Sequence, residues 1–380
     1  MSFTKAEIEE RGHPVWAEID LGALKHNVSV MRDTAAGAEV MAVVKGYAYG
    51  HGNPECAQAA LDAGATRIGV ARVAEAIHLR ESGIAAPIHV FTEPPPQAAA
   101  TLVDLDLTAA IYTTDFAAAL SDAATSARKD VPVHVKLDTG MHRVGLLADD
   151  VPAAIERIAR LPGIDVEGVW SHLAVADIPD HPFTRKQLEL FDELTSRIAR
   201  AGIEIRFRHI ANSAATLSLP ASHLDLVRCG IAIYGLWPTA HLADTADLRP
   251  VLSLRSRITM SKEVPAGDAV SYGLRYELRK ASRVVTVPAG YADGYDRRLS
   301  GRADVLIGGS RYKVSGTVCM DQFMVDVGDD DIGVGEVATL IGADGTNAIT
   351  AEELAGLTET INYEITARIP SRVPRVFLDG

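Results

Sequence analysis

A chain of 380 residues with 47% hydrophobic and 23% charged residues can bury a sizeable core, and its composition excludes disordered and collagen-like classes. A net charge of −13 disfavours a nucleic-acid partner, because proteins that bind the phosphate backbone collect Lys and Arg on one face. Three widely spaced cysteines make neither a disulfide framework nor a zinc site, so we expect no metal.

The N-terminal stretch MSFTKAEIEERGHPVW is charged and lacks the apolar segment of a signal peptide. No uncharged apolar run reaches the roughly 20 residues that a membrane-spanning helix needs. We therefore expect a cytoplasmic protein with no membrane partner.

Short apolar runs alternate with helix-like stretches through the first two thirds of the chain. Eight runs predict β-strands, at residues 40–45, 67–71, 88–91, 108–112, 133–138, 166–173, 205–211 and 224–230. Strands with near-continuous apolar runs, each followed by a helix, indicate a parallel sheet covered on both faces. Eight in succession fit an α/β fold of the (β/α)8 TIM-barrel type, which takes about 250 residues, although an open doubly wound sheet has the same pattern.

From about residue 249 the pattern changes to short β-rich runs broken by Gly, Asp and Pro. We expect residues 1–248 to form the barrel and residues 249–380 to form a smaller, mostly β domain. Within that domain the stretch TAEELAGL predicts a short helix with Thr350 as its N-cap.

Polar side chains stand at several of the predicted strand ends. The active sites of (β/α)8 barrels lie where the C-terminal ends of the strands meet. The polar residues at these ends are Lys45, Lys136, Asp138, Arg143, Ser171, His172, Asn212, Ser213 and Arg228. Any one of them could be an ordinary cap or a satisfied core residue, but their convergence on one rim predicts a functional site.

Lys45 closes the apolar part of the stretch AVVKGYAYGHG. A buried lysine has a lowered pKa and can form a Schiff base with a carbonyl. Tyr49 follows four residues later, so a helical turn would place both side chains on one face. The N–H groups of Gly230 and Ile231, with the hydroxyl of Ser213, could hold a phosphate. A lysine with a phosphate cup indicates pyridoxal 5′-phosphate, and a phosphosugar barrel with a Schiff-base lysine is the alternative.

At these residues the sequence resembles the alanine racemase family, which are pyridoxal-phosphate enzymes of fold type III. The resemblance covers nearly the whole chain and rests on nine segments in order: AVVKGYAYGHG, KLDTGMHRVG, WSHLA, ANSAA, VRCGIAIYGL, VSYG, GYADGY, GTVCMDQFMVDV and INYEITARIPSRVPR. It implies a two-base racemisation of L- and D-alanine that supplies D-alanine for peptidoglycan.

The resemblance also implies roles for individual residues. Lys45 would bind the cofactor and serve as the base for the D enantiomer. Tyr272, from the partner subunit of a head-to-tail homodimer, would be the base for the L enantiomer. The residues implied to bind the cofactor with Lys45 are Tyr49, His172, Asn212, Ser213, Arg228, Gly230, Ile231 and Tyr363.

By the same resemblance, Arg143 and the backbone of Met320 would bind the substrate. Lys136 would be a carbamyl-lysine that orients Arg143. Tyr291 and Arg297 would gate the substrate entrance, although Tyr291 could instead pack a turn.

Arg228 would face the pyridine nitrogen of the cofactor and, because an arginine does not readily release its proton, would leave that nitrogen unprotonated. The chain departs from the family pattern at Gly46–Tyr47, His142 and Thr317, which affects the expected shape of the entrance and the substrate range. Three alternatives remain: a related racemase of broader, serine-type specificity, an amino-acid decarboxylase, and a non-catalytic cofactor carrier.

Overall fold

A computed structural model describes residues 2–243 and 245–379. The chain divides into two compact units. One contains the N-terminal residues up to Ala23, the short stretch Tyr49–Gly52, and the chain from Pro250 onward. The other contains Leu24–Ala48 and Asn53–Arg249 and is called the barrel unit here.

The barrel unit is built on parallel strands that follow the predicted apolar runs. Numbered along the chain, its strands are β3 (Glu39–Val43), β4 (Arg67–Val70), β5 (Ile88–Val90), β6 (Leu107–Ile111), β7 (Val131–Asp138), β8 (Leu146–Leu147), β9 (Ile164–Trp170), β10 (Phe207–His209) and β11 (Leu226–Cys229). Their order is β10-β9-β7-β6-β5-β4-β3-β11, with the short β8 beside β7. Backbone hydrogen bonds from Asp225 N to Arg208 O and from Arg228 N to Ala211 O join the two outer segments. The expected (β/α)8 TIM-like architecture is confirmed.

The strands of this sheet lie in the core because helices cover them. Every residue of β4, β5, β6 and β11 is buried, which is why these strands are mostly apolar. Each contains one buried polar exception: Arg67, His89, Thr108 and Arg228. The helices that begin between residues 21 and 213 are α2 (Leu21–Thr34), α3 (Lys45–Tyr49), α4 (Asn53–Asp62), α5 (Val73–Glu81), α6 (Ala99–Asp104), α7 (Thr114–Ala127), α8 (Val151–Ala159), α9 (Pro182–Arg200) and α10 (Ser213–Ser218). None of the helices in the described part of the chain has the length and apolar character to cross a bilayer.

The other unit is mostly β, as expected. Its strands are β1 (Ser2–Phe3), β2 (Val15–Asp20), β12 (Leu252–Arg257), β13 (Met260–Val264), β14 (Ala269–Val270), β15 (Tyr276–Glu277), β16 (Ser282–Val287), β17 (Asp304–Ile307), β18 (Ser310–Ser315), β19 (Phe323–Gly328), β20 (Val337–Asp344), β21 (Asn347–Ile349) and β22 (Arg375–Leu378). The main sheet has the order β1-β22-β2-β12-β20-β17-β18-β19-β16-β13, and β14 and β15 form a separate hairpin.

Three helices accompany this sheet: α1 (Lys5–Glu10), α11 (Ala351–Thr358) and α12 (Asn362–Ala367). Helix α11 matches the predicted one, since the Thr350 side chain accepts from Glu353 N at 3.0 Å and caps its first turn. Helix α12 was not expected from the sequence.

The division of the chain differs from the expected one at residues 1–248. Strand β2 lies between β22, to which it is parallel, and β12, to which it is antiparallel, so the N-terminal residues group with the C-terminal sheet. The stretch Tyr49–Gly52 joins the same unit, because the buried guanidinium of Arg375 donates from Nη2 to Gly50 O at 2.6 Å. Both pairings link positions more than 230 residues apart, so no local pattern predicts them.

Candidate active site

Lys45 stands directly after β3 and Val44, at the start of an unusual turn. Gly46, Tyr47 and Ala48 have φ values of 64°, 56° and 53°, so the turn is left-handed. The sequence-based expectation of an ordinary right-handed helical turn was therefore wrong. Ala48 N donates to Val44 O at 2.8 Å and closes the turn. Only Gly46 adopts this conformation without a steric cost.

The Lys45 amine lies in a positively charged environment. Burial is the main cause that lowers its pKa, and the guanidinium groups of Arg143 and Arg228 lower it further, whereas the Glu75 carboxylate raises it. The amine is therefore more readily deprotonated than that of an exposed lysine, as a nucleophilic or basic lysine requires.

Arg228, on β11, is buried and held by the ends of neighbouring strands. Its Nη2 donates to Ser171 O at 2.9 Å and Ile210 O at 3.0 Å, and lies 3.2 Å from His172 Nδ1. Because a guanidinium can only donate, Nδ1 of His172 accepts and its ring proton lies on Nε2. Burial and the nearby cations hold the pKa of His172 well below 6.5, so its ring is neutral at pH 7.

The other side of the Arg228 guanidinium begins a chain of buried hydrogen bonds, which we call the barrel relay. Arg228 Nη1 donates to His209 Nδ1 at 3.0 Å, and His209 Nε2 lies 2.7 Å from His134 Nδ1. His134 Nε2 lies 2.9 Å from Glu167 Oε2, and Glu167 accepts from Arg67 at 2.9 and 3.2 Å. With a donor at one end and a carboxylate at the other, both histidines carry their proton on Nε2. Burial lowers both histidine pKa values, in keeping with neutral rings.

Lys136 lies on β7 and is only 2% exposed. Its Nζ donates to Leu137 O at 2.8 Å and lies 5.0 Å from the centre of the Trp170 ring. Burial, together with Arg228 and Arg143, lowers the pKa of Lys136 to about 7. A substantial fraction of this amine is therefore neutral at physiological pH, which is the form that reacts with electrophiles such as CO2.

Ser213 and Gly230, two predicted phosphate ligands, are brought together at the ends of β10 and β11. Ser213 Oγ accepts from Gly230 N at 2.9 Å, and Ile231 begins a short 3-10 turn (Ile231–Tyr234) directly afterwards. Strand β11 pairs with β3, so this hydroxyl and N–H lie at the end of the strand next to the one that carries Lys45. Asn212 caps α10 by accepting a backbone N–H at 3.0 Å, a structural use of the side chain predicted to bind the cofactor.

Arg143 is exposed and is carried by a loop that the Asp138 carboxylate organises. Asp138 Oδ1 accepts from Gly140 N at 2.9 Å and His142 N at 3.1 Å, while Oδ2 lies 3.2 Å from His142 Nδ1. His142 has a φ of 54°, a conformation that glycine adopts more readily. Its contacts with Asp138 compensate for that cost and give this departure from the family pattern a structural role.

In the other unit, the hairpin connection between β14 and β15 presents Tyr272, which is 74% exposed. Thr317 Oγ1 donates to Tyr272 O at 2.9 Å, and Ser271 Oγ donates to Thr317 O at 2.7 Å. The buried Thr317, a second departure from the family pattern, thus holds the backbone of the Tyr272 turn.

The predicted substrate-binding and gate residues of this unit are neighbours. The turn at Tyr291 donates two backbone N–H groups to the segment ending at Met320, at 3.1 and 2.9 Å. Ser300 Oγ donates to the carbonyl of the exposed Arg297 at 2.5 Å and accepts from Val318 N at 2.9 Å. We call the exposed apolar residues here the Tyr272 surface; they are Tyr272, Leu274, Tyr291 and Met320, at 74%, 71%, 43% and 54% exposure.

Tyr49 and Tyr363, also predicted to hold the phosphate, lie in this same unit. Their ring centroids are 6.1 Å apart. Tyr363 is carried by α12, the helix that the sequence did not predict. His51 Nδ1 lies 3.1 Å from Tyr49 O, consistent with a role in capping this turn.

Several residues that shape the site were missed by sequence reasoning. In the barrel relay, His134 precedes Lys136 and Asp138 at alternating positions of β7, a period of two that places all three on one side of the strand. Gln187 is fully buried on α9 and donates to His172 O at 3.0 Å. A glutamine on the apolar face of a helix is a signal that could have been found.

The donor set fits a phosphorylated aldehyde cofactor. The barrel unit offers an amine of lowered pKa, a hydroxyl and N–H cradle, and a buried donor-only guanidinium at the ends of its strands. Within the described residues, no cluster of three or more His, Cys, Asp or Glu side chains could hold a metal ion. The fold and this donor set define a barrel enzyme centred on a lysine.

Comparison with known proteins identifies the family. The chain matches the family model described as alanine racemase, N-terminal domain, over residues 19–238, and the model of the C-terminal domain over residues 251–377. It is 42% identical over 367 residues to the alanine racemase of Carboxydothermus hydrogenoformans, covering 96% of this chain and 100% of that protein. The chain therefore belongs to the alanine racemase family and is an isomerase.

Solved structures agree with this assignment. The crystal structure of alanine racemase from D-cycloserine-producing Streptomyces lavendulae superposes with a TM-score of 0.91 at 41% identity, covering 97% of each chain. A histidine racemase from Leuconostoc mesenteroides superposes with a TM-score of 0.89 at 30% identity, covering 96% of this chain and 98% of that one. The fold thus occurs in racemases named for different amino acids.

Proposed function

We propose that this enzyme interconverts L-alanine and D-alanine with pyridoxal 5′-phosphate and two bases, and that it supplies D-alanine for peptidoglycan. The observation that carries the proposal is the half-buried Lys45 amine of lowered pKa at the rim of the barrel. Together with Lys45, the basic side chains of Lys136, Arg143 and Arg228 favour an anionic ligand such as a phosphate or a carboxylate. None of the three cysteines forms a disulfide, in keeping with a cytoplasmic enzyme.

When bound, pyridoxal 5′-phosphate supplies an aldehyde for amines and a conjugated ring that stabilises negative charge at the substrate Cα. Lys45 would hold the aldehyde and would move a proton at the substrate Cα on one face. Ser213, Gly230 and Ile231 would hold the phosphate, and Arg228, whose guanidinium only donates, would bind the ring nitrogen without giving up its proton.

Racemisation needs a second base on the opposite face of Cα, because one group removes a proton and another must deliver one from the other side. We assign this role to Tyr272 of the partner subunit. A phenol with an ordinary pKa of about 10 is a weak base at neutral pH. His172, whose ring proton lies on Nε2, can donate a hydrogen bond to the phenolate and favour it.

The assignment of Tyr272 to a partner requires a homodimer with sites shared between subunits. The Tyr272 surface supports this arrangement, since it exposes four large apolar side chains on segments that hydrogen bonds link, as expected of a surface that another chain covers. In a two-fold dimer the same surface would serve both sites.

The first test is an activity assay. Purified protein is given L-alanine, and D-alanine is followed with a stereospecific oxidase. We expect D-alanine to form, and Tyr272→Phe to abolish its formation while the absorbance of bound cofactor remains. Tyr276→Phe is the matched control, because its hydroxyl donates to Asp326 at 2.8 Å and has no assigned catalytic role. Protein without cofactor absorbance would contradict the proposal.

Shared sites are tested by mixing two inactive variants, Lys45→Ala and Tyr272→Phe. If each site combines Lys45 of one chain with Tyr272 of its partner, a mixed dimer keeps one intact site. Random reassociation of equal amounts then restores about a quarter of the wild-type activity. If both residues came from one chain, the mixture would stay inactive.

Substrate range is the second question, because a histidine racemase shares the fold at 30% identity. A racemase of broader specificity is therefore the competing function. Parallel assays with L-serine and L-histidine distinguish the two: alanine specificity is supported if L-alanine has by far the highest kcat/KM.

Lys136 is proposed to be carbamylated, since a buried amine with a pKa of about 7 can react with CO2. Its carbamate would place a negative charge beside Arg143, where two bare cations would repel each other. Incubation with ¹³C-bicarbonate should yield one additional ¹³C NMR signal that is absent in Lys136→Met. A wild-type spectrum without that signal would remove the assignment.

A further inference from the structure

One carboxylate outside the predicted site lies against the turn that carries Lys45. Glu75, on the first turn of α5, accepts from Gly46 N at 2.6 Å through Oε1. Its other oxygen, Oε2, accepts from Ala71 N at 2.8 Å and Arg72 N at 3.0 Å, directly after β4. A single side chain therefore ties the backbone after β3 to the backbone after its neighbour β4.

The left-handed turn after β3 is conformationally strained and therefore depends on stabilising contacts. Tyr47, Ala48 and Tyr49 all have φ values between 53° and 56°, which L-residues adopt at a cost of roughly 1 kcal/mol each. Such a strained conformation persists only when contacts with the surrounding structure stabilise it enough to offset its cost. The bond from Gly46 N to an ionised carboxylate is of the strong, charge-assisted kind.

The charge of Glu75 also acts on the lysine itself. The cationic groups Arg143 and Arg228 disfavour a protonated Lys45, and Glu75 is the carboxylate that opposes them. Removing its charge would remove a carboxylate that favours the protonated Lys45 amine and would weaken the hydrogen bond from Gly46 N.

We propose that Glu75 is a positioning residue for Lys45, whose carboxylate holds the left-handed turn after β3 in the form that the lysine needs. The proposal rests on the assignment of Lys45 as the cofactor lysine and deepens it. Glu75 touches the backbone beside Lys45 and acts through it.

The chain offers a close control. Glu93 holds a backbone segment in the same way elsewhere in the barrel unit, since its Oε2 accepts from Tyr112 N at 2.5 Å and from Thr113 N at 2.9 Å. It does not contact the Lys45 turn through these bonds. Glu93→Gln therefore removes the same kind of carboxylate–backbone hydrogen bond as Glu75→Gln, but at a site away from the Lys45 turn.

The test uses the cofactor-loaded enzyme and hydrogen–deuterium exchange. A glutamine at position 75 cannot accept on both sides, because its amide nitrogen would face N–H donors at Ala71 and Arg72 or at Gly46. We expect the Gly46 amide to exchange about tenfold faster in Glu75→Gln, as the loss of a hydrogen bond to a charged group implies. Glu93→Gln should leave that amide unchanged, and Glu75→Asp, which keeps the charge, should recover part of its protection.

Activity supplies the second readout. We expect kcat to fall at least tenfold in Glu75→Gln, more than in Glu93→Gln, with partial recovery in Glu75→Asp. Wild-type exchange at Gly46 together with wild-type kcat in Glu75→Gln would overturn the inference. If Glu75→Gln does not fold, the test compares Glu75→Asp with Glu93→Gln. Equal exchange of the Gly46 amide in these two variants would also overturn the inference.

The cofactor assignment is checked separately in the wild type. Borohydride reduction and peptide mapping should locate a pyridoxyl group on Lys45. Its absence would refute the proposed function without bearing on the exchange of Gly46.

Discussion

Replacing Glu167 with glutamine should destabilise the barrel unit, because Arg67 then loses its two-pronged ionic partner in a nearly dry environment. The Glu167 side chain is 9% exposed and that of Arg67 is 11% exposed. Hydrogen bonds from His134 and Arg67 outweigh the effect of burial and lower the pKa of Glu167 from 4.5 to about 2. A difference of that size corresponds to about 3 kcal/mol of folding free energy.

Solvent reduces this figure. Arg206, whose side chain is 56% exposed, lies 3.5 Å from Oε1 of Glu167. Water can therefore reach and screen the Glu167–Arg67 pair from the side of Arg206. We therefore expect Glu167→Gln to lower the free energy of unfolding by about 2 kcal/mol at pH 7. Because the pKa of Glu167 is depressed on folding, its contribution is complete above pH 4.5 and is lost as the pH falls from there towards 2.

The assay is urea denaturation followed by circular dichroism, from pH 7 to the lowest pH at which the wild type stays folded. The midpoint should fall at pH 7 while the m-value stays the same, and the gap should narrow below pH 4.5. Asp165→Asn is the control, because Asp165, on the same strand, pairs with Arg206 with both side chains about half exposed, and its loss should cost less than about 1 kcal/mol. Equal stability of Glu167→Gln and the wild type at pH 7 would refute the reasoning.

Two further predictions concern the relay and the lysine turn. Nitrogen-15 NMR at pH 7 should find His134 and His209 neutral with the proton on Nε2, because one faces a carboxylate and the other a guanidinium; an Nδ1 proton on either would contradict the polarity of the relay. Gly50→Ala should unfold or severely destabilise the protein, since a Cβ there would lie 2.0 Å from a backbone oxygen. Gly46→Ala, whose Cβ would meet no heavy atom within 4 Å outside its own turn, should cost only about 1 kcal/mol. Equal melting temperatures of the two variants would count against this view.

The strands of the barrel could be predicted because each is encoded by a pattern within a short stretch of sequence. Strands such as β6 and β11 are buried along their whole length and are therefore mostly apolar, with Thr108 and Arg228 as the polar exceptions. The N-cap of α11 could be predicted for the same reason, since Thr350 and Glu353 lie one helical turn apart. Short-range patterns carry these elements, and tertiary contacts only reinforce them.

The features that could not be predicted from the sequence depend on contacts between residues that are far apart in the chain. The handedness of the turn after Lys45 depends partly on Glu75, which lies 29 residues further along the chain and accepts from Gly46 N. Tyr47 and Ala48 have no intrinsic preference for positive φ. The rim residues were predictable as a set, because the carboxyl ends of parallel strands converge, whereas the contacts among them were not.

The N-terminal strand has a consequence for how the protein is made. Strand β2 occupies an interior place in the sheet between β12 and β22, so its parallel partner is synthesised long after it. The edge of β2 that pairs with β22 stays unpaired while more than 350 further residues are synthesised. At about 5 to 20 residues per second this delay lasts tens of seconds. A circular permutant that begins near Pro250 would remove the delay, and it should refold with a shorter slow phase.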